Sequence, residues 1–142
     1  MKISAKAEYA CLAMAELAVR HQRRMPTSLK VLADTHRISQ AFLMQIFMQL
    51  KGARLVQAVR GSTGGYQLSR PPESIHLLEI VNAIDGPAGE TSALDALPPA
   101  PLLRSLQSVW KNKQRAEQRV LEDVTLADIA RRGSESALEF QI

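Results

Sequence analysis

The segment "VRGSTGGYQLSR", residues 59–70, is a glycine-dense basic stretch in a chain whose remainder reads as helix. With the preceding "RLVQAVR", residues 54–60, it forms two short β-like runs joined by "GSTG", residues 61–64. Alternation places Leu55 with Ala58 or Val59 inward on one run and Tyr66 with Leu68 inward on the other. Gly64 and Gly65 give the connection access to positive φ, so the stretch predicts a β-hairpin. The double proline of "RPPES" ends the second strand, because proline cannot donate to a ladder.

Upstream, Ser4 can cap a first helix in which Ala7, Ala10, Cys11, Met14, Leu17 and Ala18 recur at helical spacing. "HQRRMP" breaks it, and "TSLKVLADTH" gives a short second helix with Leu29, Leu32 and Ala33 inward. After the tight turn "HRISQ", Ser39 can cap "QAFLMQIFMQLKGA", whose apolar stripe is Phe42, Leu43, Ile46, Phe47 and Leu50. Met48 also reads as core by its spacing. Two helices so closely joined predict a helix-turn-helix with a β-hairpin directly behind it.

Downstream, "IHLLEIVNAIDG" predicts a fourth helix with Leu77, Ile80, Val81 and Ile84 inward, closed by Gly86. "GPAGETSALDALPPAP" is a small-residue, proline-broken loop that marks a domain edge. Beyond it Leu102, Leu103, Leu106, Val109, Trp110, Ala116, Val120, Leu121 and Val124 trace a seam along a long helix, and "TLAD" at residues 125–128 predicts a capping box opening a last one. The expected division is a helix-turn-helix domain with its hairpin at 1–86, a linker at 87–101, and a dimerisation helix with a C-terminal helix at 102–142. A lone long helix cannot bury its seam on itself. Folding back on its own domain is one solution, and pairing with a second copy through Leu103, Leu106, Val109, Trp110, Val120 and Leu121 is the favoured one.

Charge narrows the function. Residues 1–70 hold 11 Lys/Arg against 3 Asp/Glu, a net +8, whereas residues 71–142 hold 7 against 11, a net −4. The basic half suits a polyanion, although mutual attraction of the halves is the alternative. A helix with polar exposed positions fits a major groove, and a glycine-tipped ribbon beside it can lie along the adjacent minor groove. Arg60, at the hairpin base, is placed to enter that narrow groove, and the turn amides of Ser62, Thr63, Gly64 and Gly65 to meet phosphate.

These blocks resemble one family. "ISAKAEYACLAMAELA", "LADTHRISQAFLMQIFMQLKGARLV", "VRGSTGGYQLSRPPESIHLLEIVNAIDG" and "TLADIA" are together similar to the Rrf-two family of winged-helix transcription regulators. The resemblance spans nearly the whole chain. It implies a mainly α fold, a winged helix-turn-helix with a small hairpin wing and a long C-terminal dimerisation helix, acting as a homodimer, expected to be a repressor, on palindromic double-stranded promoter DNA. It further implies a recognition surface of Ser39, Gln40, Ala41 and Gln45, with Arg60, Gly61 and the residues through Tyr66 as the wing.

The chain departs from that family in three places. Many members hold an iron–sulfur cluster through three cysteines in the loop before the long helix, and residues 86–103 here contain neither cysteine nor histidine. No cofactor or metal is therefore expected, and Cys11, even beside Glu8, reads as a small buried apolar residue. Met44 stands where relatives can carry an acidic residue. Arg54 stands where relatives commonly have glycine, so the recognition helix is expected to stop near Gly52, with Arg54 reaching phosphate or solvent.

Other classes lose support. A single cysteine excludes an internal disulfide framework, and no apolar run reaches membrane-spanning length, so a reduced, cytoplasmic protein without membrane contact is expected. No nucleophile–base pair is visible and the glycine loop lacks a G-K-[ST] ending, which argues against an enzyme. His21, His36 and His76 share no ligand spacing, and His36 reads as a surface or phosphate-contacting residue. A regulatory protein partner or a small-molecule effector stays open as the switch. A partner-binding module with secondary DNA binding is the alternative function.

Overall fold

A computed structural model describes residues 2–87 and 91–140. Six helices and one hairpin are formed by them in the order α1 (Ala5–Val19), α2 (Leu29–His36), α3 (Gln40–Gly52), β1 (Val56–Val59), β2 (Gly65–Leu68), α4 (Leu77–Asp85), α5 (Pro101–Glu122) and α6 (Leu126–Phe140). Of the linker expected at 87–101, residues 88–90 lie outside the described residues.

The first three helices start on serines. Ser4, Ser28 and Ser39 each accept from an amide of the first turn with the side-chain oxygen, at 3.0, 3.2 and 3.3 Å. Each cap satisfies a donor that the helix leaves unpaired. Ser4 also donates its backbone N–H to the Asp85 carboxylate at 3.0 Å and its hydroxyl to the same group, so the start of α1 is tied to the end of α4.

One core unites these elements. Met14, Leu32, Leu43, Ile46, Phe47, Leu50, Ile75, Ile80 and Leu126 are all fully buried. The α3 positions are spaced at 43, 46, 47 and 50, which places them on one face toward α1 and α4. Burying a side chain such as Phe47 or Leu43 contributes roughly 1.5–3 kcal/mol each. Phe42 and Cys11, expected inside, are only partly buried; Phe42 instead meets Tyr9 edge to face at 5.8 Å.

β1 and β2 pair antiparallel, from Val56 opposite Leu68 to Val59 opposite Gly65. The inward set differs from simple alternation: Leu55, Val56 and Leu68 are buried, while Ala58 and Val59 are exposed. β1 leaves the core after its first rung, so Ala58 and Val59 face solvent. β2 gains a third partner on its turn-side half, because Thr27 donates to the Tyr66 carbonyl at 3.0 Å and accepts from the Tyr66 amide at 2.8 Å.

The C-terminal helices part company. Thr125 and Asp128 cap α6 reciprocally, at 3.0 and 3.1 Å, as the "TLAD" pattern predicts. Leu126 donates its amide to the Ile75 carbonyl at 2.9 Å, and Leu77 to that of Val124 at 3.0 Å, which ties the start of α6 to the segment entering α4 while α6 packs against α1. The buried core includes residues on both sides of the loop at 86–101, Ile80 before it and Leu126 after it. α5, 22 residues long, has no buried residue.

Gly65 is where β2 comes closest to the connection between α1 and α2. A Cβ there would lie 2.4 Å from the backbone carbon and oxygen of Thr27. Gly65→Ala is expected to destabilise the protein by about 1–3 kcal/mol, as overpacking against immobile backbone does, read by urea denaturation. An unchanged midpoint would contradict the close approach.

Candidate nucleic-acid interface

The turn between α2 and α3 is set by two hydrogen bonds and one left-handed residue. Ile38 donates to the Ala33 carbonyl at 3.1 Å, Arg37 takes a left-handed conformation at φ 54°, and Ser39 caps α3. His36 does not face outward as a phosphate contact. Its Nε2 lies 3.1 Å from Glu16 Oε1 on α1, and Glu16 also holds Arg20 at 3.0 Å, so this histidine fastens α2 to α1.

With Leu43, Ile46, Phe47 and Leu50 committed to the core, α3 presents Gln40, Ala41, Met44, Gln45, Met48 and Lys51 to solvent. Three of the four expected recognition residues, Gln40, Ala41 and Gln45, lie on that face. Ser39 is exposed too, but its hydroxyl oxygen is engaged in the cap. Met48 corrects its core reading: it is 67% exposed, one turn beyond Met44 at 51%. Apolar spacing misassigned it because residue 48 follows two buried positions without sharing their face.

The wing lies directly behind α3. Arg60, Gly61, Ser62 and Thr63 are exposed, and Gly64 donates to the Gly61 carbonyl at 3.0 Å to close the turn. Gly61 has φ 116°, a conformation open to glycine and strained for other residues. A Cβ on Gly64 would fall 2.2 Å from the Val59 carbonyl oxygen. Tyr66 is half-buried rather than at the tip, with its ring 4.7 Å from that of Phe47. It fixes the wing to α3 from beneath. Thr27, buried and paired to Tyr66, gave no signal in the sequence, since nothing local announces a bridge 39 residues along the chain.

Elsewhere, Leu106, Val109, Trp110 and Val120 are exposed on α5, and Leu103 and Leu121 are half-buried. A cleft of about 380 Å³ runs between α5 and the segment before it, lined by Ser92, Asp95, Gln107 and Trp110, with Gln107 donating to Asp95 at 2.9 Å.

Comparison with known proteins agrees with this arrangement. Residues 3–132 match the Rrf2 model, described as an iron-dependent transcriptional regulator. This chain belongs to the Rrf2 family. It is 36% identical over 130 residues to the HTH-type transcriptional regulator CymR of Bacillus subtilis, covering 92% of this chain and 90% of that one. It is 42% identical over 86 residues to the regulator IscR of Cereibacter sphaeroides, covering 60% of this chain and 56% of that one. The solved structure of CymR, the global cysteine regulator of B. subtilis, superposes with a TM-score of 0.82 at 34% identity, over 93% of this chain and 98% of that one. T. potens IscR gives 0.78 at 31% identity, over 96% and 90%. The fold is thus the winged-helix fold of Rrf2 regulators.

The iron in the family's description does not fit the residues present. Cys11 is the chain's only cysteine. Burial, then the nearby Asp85 and Glu8 charges, push its thiol up to about 11 from 9.0, which disfavours the thiolate a metal needs. Among the described residues no three His, Cys, Asp or Glu side chains converge.

The Cys11 thiol is therefore expected to be sluggish. A rise from 9.0 to about 11 lowers the thiolate fraction about 100-fold near neutral pH. A thiolate of higher pKa is also the stronger nucleophile, so alkylation of the folded protein by iodoacetamide should be about tenfold or more slower than that of the urea-unfolded chain. Equal rates would contradict the partly buried, protonated thiol.

Proposed function

We propose that this Rrf2-family chain is a sequence-specific, homodimeric DNA-binding repressor that works without an iron–sulfur cluster. The observation that carries the reading is the pairing of an exposed polar face on α3 with an exposed arginine–glycine loop, joined by the Phe47–Tyr66 contact. Gln40, Ala41 and Gln45 present hydrogen-bonding and small side chains to base edges in the major groove. Arg60 enters the neighbouring minor groove, whose narrow, electronegative floor favours a guanidinium, while Gly61 and the residues through Gly65 let the backbone approach phosphate closely. The N-terminus of α3 adds its partial positive charge toward the same backbone.

The dimer follows from α5. A 22-residue helix with no buried residue exposes Leu102, Leu106, Val109 and Val120 at helical spacing, and a soluble chain covers such a stripe with an equivalent one. Two copies related by a two-fold axis read a palindrome. The site of action is cytoplasmic DNA; among the described residues no helix is long and apolar enough to cross a membrane. The cleft beside Trp110 offers a small-molecule effector a place at the dimer helix, and a regulatory protein partner is the other candidate for the switch.

Two measurements test the reading. Arg60→Ala should weaken binding to a duplex enriched by in vitro selection by roughly 1–3 kcal/mol, followed by fluorescence anisotropy, and wild-type affinity should fall steeply with salt. A salt-independent affinity would sink the DNA-binding surface. Leu106→Glu should convert a dimer into a monomer in light scattering while leaving the circular dichroism of the monomer helical; a monomeric wild type would sink the α5 interface.

A further inference from the structure

Among the described residues, the non-glycine residues at positive φ are three arginines: Arg24 at 52°, Arg37 at 54° and Arg54 at 62°. Left-handed backbone crowds Cβ against the carbonyl, so glycine, asparagine and aspartate are the residues that normally occupy it. Arginine brings no local hydrogen bond to offset that strain. All three are exposed, and none has a carboxylate partner among the described residues, whereas Arg20, Arg70 and Arg131 each do.

Two of the three bracket α3. Arg37 stands in the turn just before it, and Arg54 follows two residues after its end, where the amide of Arg54 donates to the Lys51 carbonyl at 3.0 Å. Thirteen residues of helix span about 20 Å at a rise of about 1.5 Å. A B-form major groove is about 12 Å wide, so cations at the two ends of such a helix reach the backbones that flank the groove.

We propose that Arg37 and Arg54 are phosphate-binding arms that grip the DNA backbone at either end of α3, and that their strained conformation is retained for the charge. The proposal rests on the DNA-binding reading above. A different account of the same geometry is that each cation merely complements a helix C-terminus, Arg37 that of α2 and Arg54 that of α3.

Glycine separates the two, because it suits left-handed backbone better than arginine and removes only the charged arm. The full chain carrying Arg37→Gly or Arg54→Gly is titrated with a fluorescein-labelled mixed-sequence duplex across a series of salt concentrations, alongside thermal melts. The expected result is a melting temperature no lower than wild type, with weaker binding. The log–log salt slope should fall by about 0.9 for each phosphate contact removed, or about 1.8 for a dimer, and Arg37→Lys and Arg54→Lys should keep the slope. At roughly 0.1 M salt, one lost contact corresponds to a fivefold to tenfold drop in affinity. Unchanged affinity and slope in both glycine variants would overturn the proposal, as would a lowered melting temperature with the slope intact. A wild-type protein that fails to bind the duplex at low salt would instead sink the DNA-binding reading itself, which keeps the two failures distinct.

Discussion

The two backbone hydrogen bonds between Thr27 and Tyr66 are the constraint on which the rest of the surface depends. A two-stranded hairpin alone is marginal in water. Here the connection between α1 and α2 acts as a third strand against the turn-side half of β2, at Tyr66 and Gly65. The fit requires Gly65, since any Cβ at that position would strike the Thr27 backbone. It also turns the Tyr66 ring onto Phe47, at the centre of α3's buried face. The hairpin is thereby fixed in place relative to the helix that precedes it, and the exposed loop of Arg60 to Thr63 is presented by a rigid base.

α3 carries the same logic in one helix. Its apolar residues at 43, 46, 47 and 50 consume the face toward α1 and α4, and what remains is free to meet a partner. The serine cap at Ser39 and the left-handed turn at Arg37 fix where the helix begins. The B. subtilis CymR structure, at a TM-score of 0.82 over nearly the full chain, shares this fold. The chain's own chemistry then departs from the iron-dependent description of the family, because one partly buried, protonated thiol cannot provide a cluster's ligands.

Much of this was legible in the sequence because it is local. The serine caps, the "TLAD" capping box, the end of α3 at Gly52 and the glycine-rich hairpin all follow from residues within a few positions of one another. The family blocks were legible for the same reason. What escaped depends on contacts distant in sequence. His36 was misread because Glu16, twenty residues earlier, holds it. Met48 was misread because helical spacing near the boundary of a stripe does not say which side of it a residue takes. Leu126, which draws α6 back into the core, gives no sign that its neighbours are Ile75 and α1. The left-handed arginines are invisible in the sequence, apart from Arg54 standing where relatives commonly place glycine.

The central claim is that α3 and the wing form a single surface for duplex DNA. Amide hydrogen exchange of the protein with and without its selected duplex tests it most directly. The account predicts slowed exchange on binding in two segments, the start of α3 around residues 40–45 and the wing around 60–65, with α5 unchanged. Protection confined to α5 or to the cleft beside Trp110, with α3 and the wing unaltered, would contradict it.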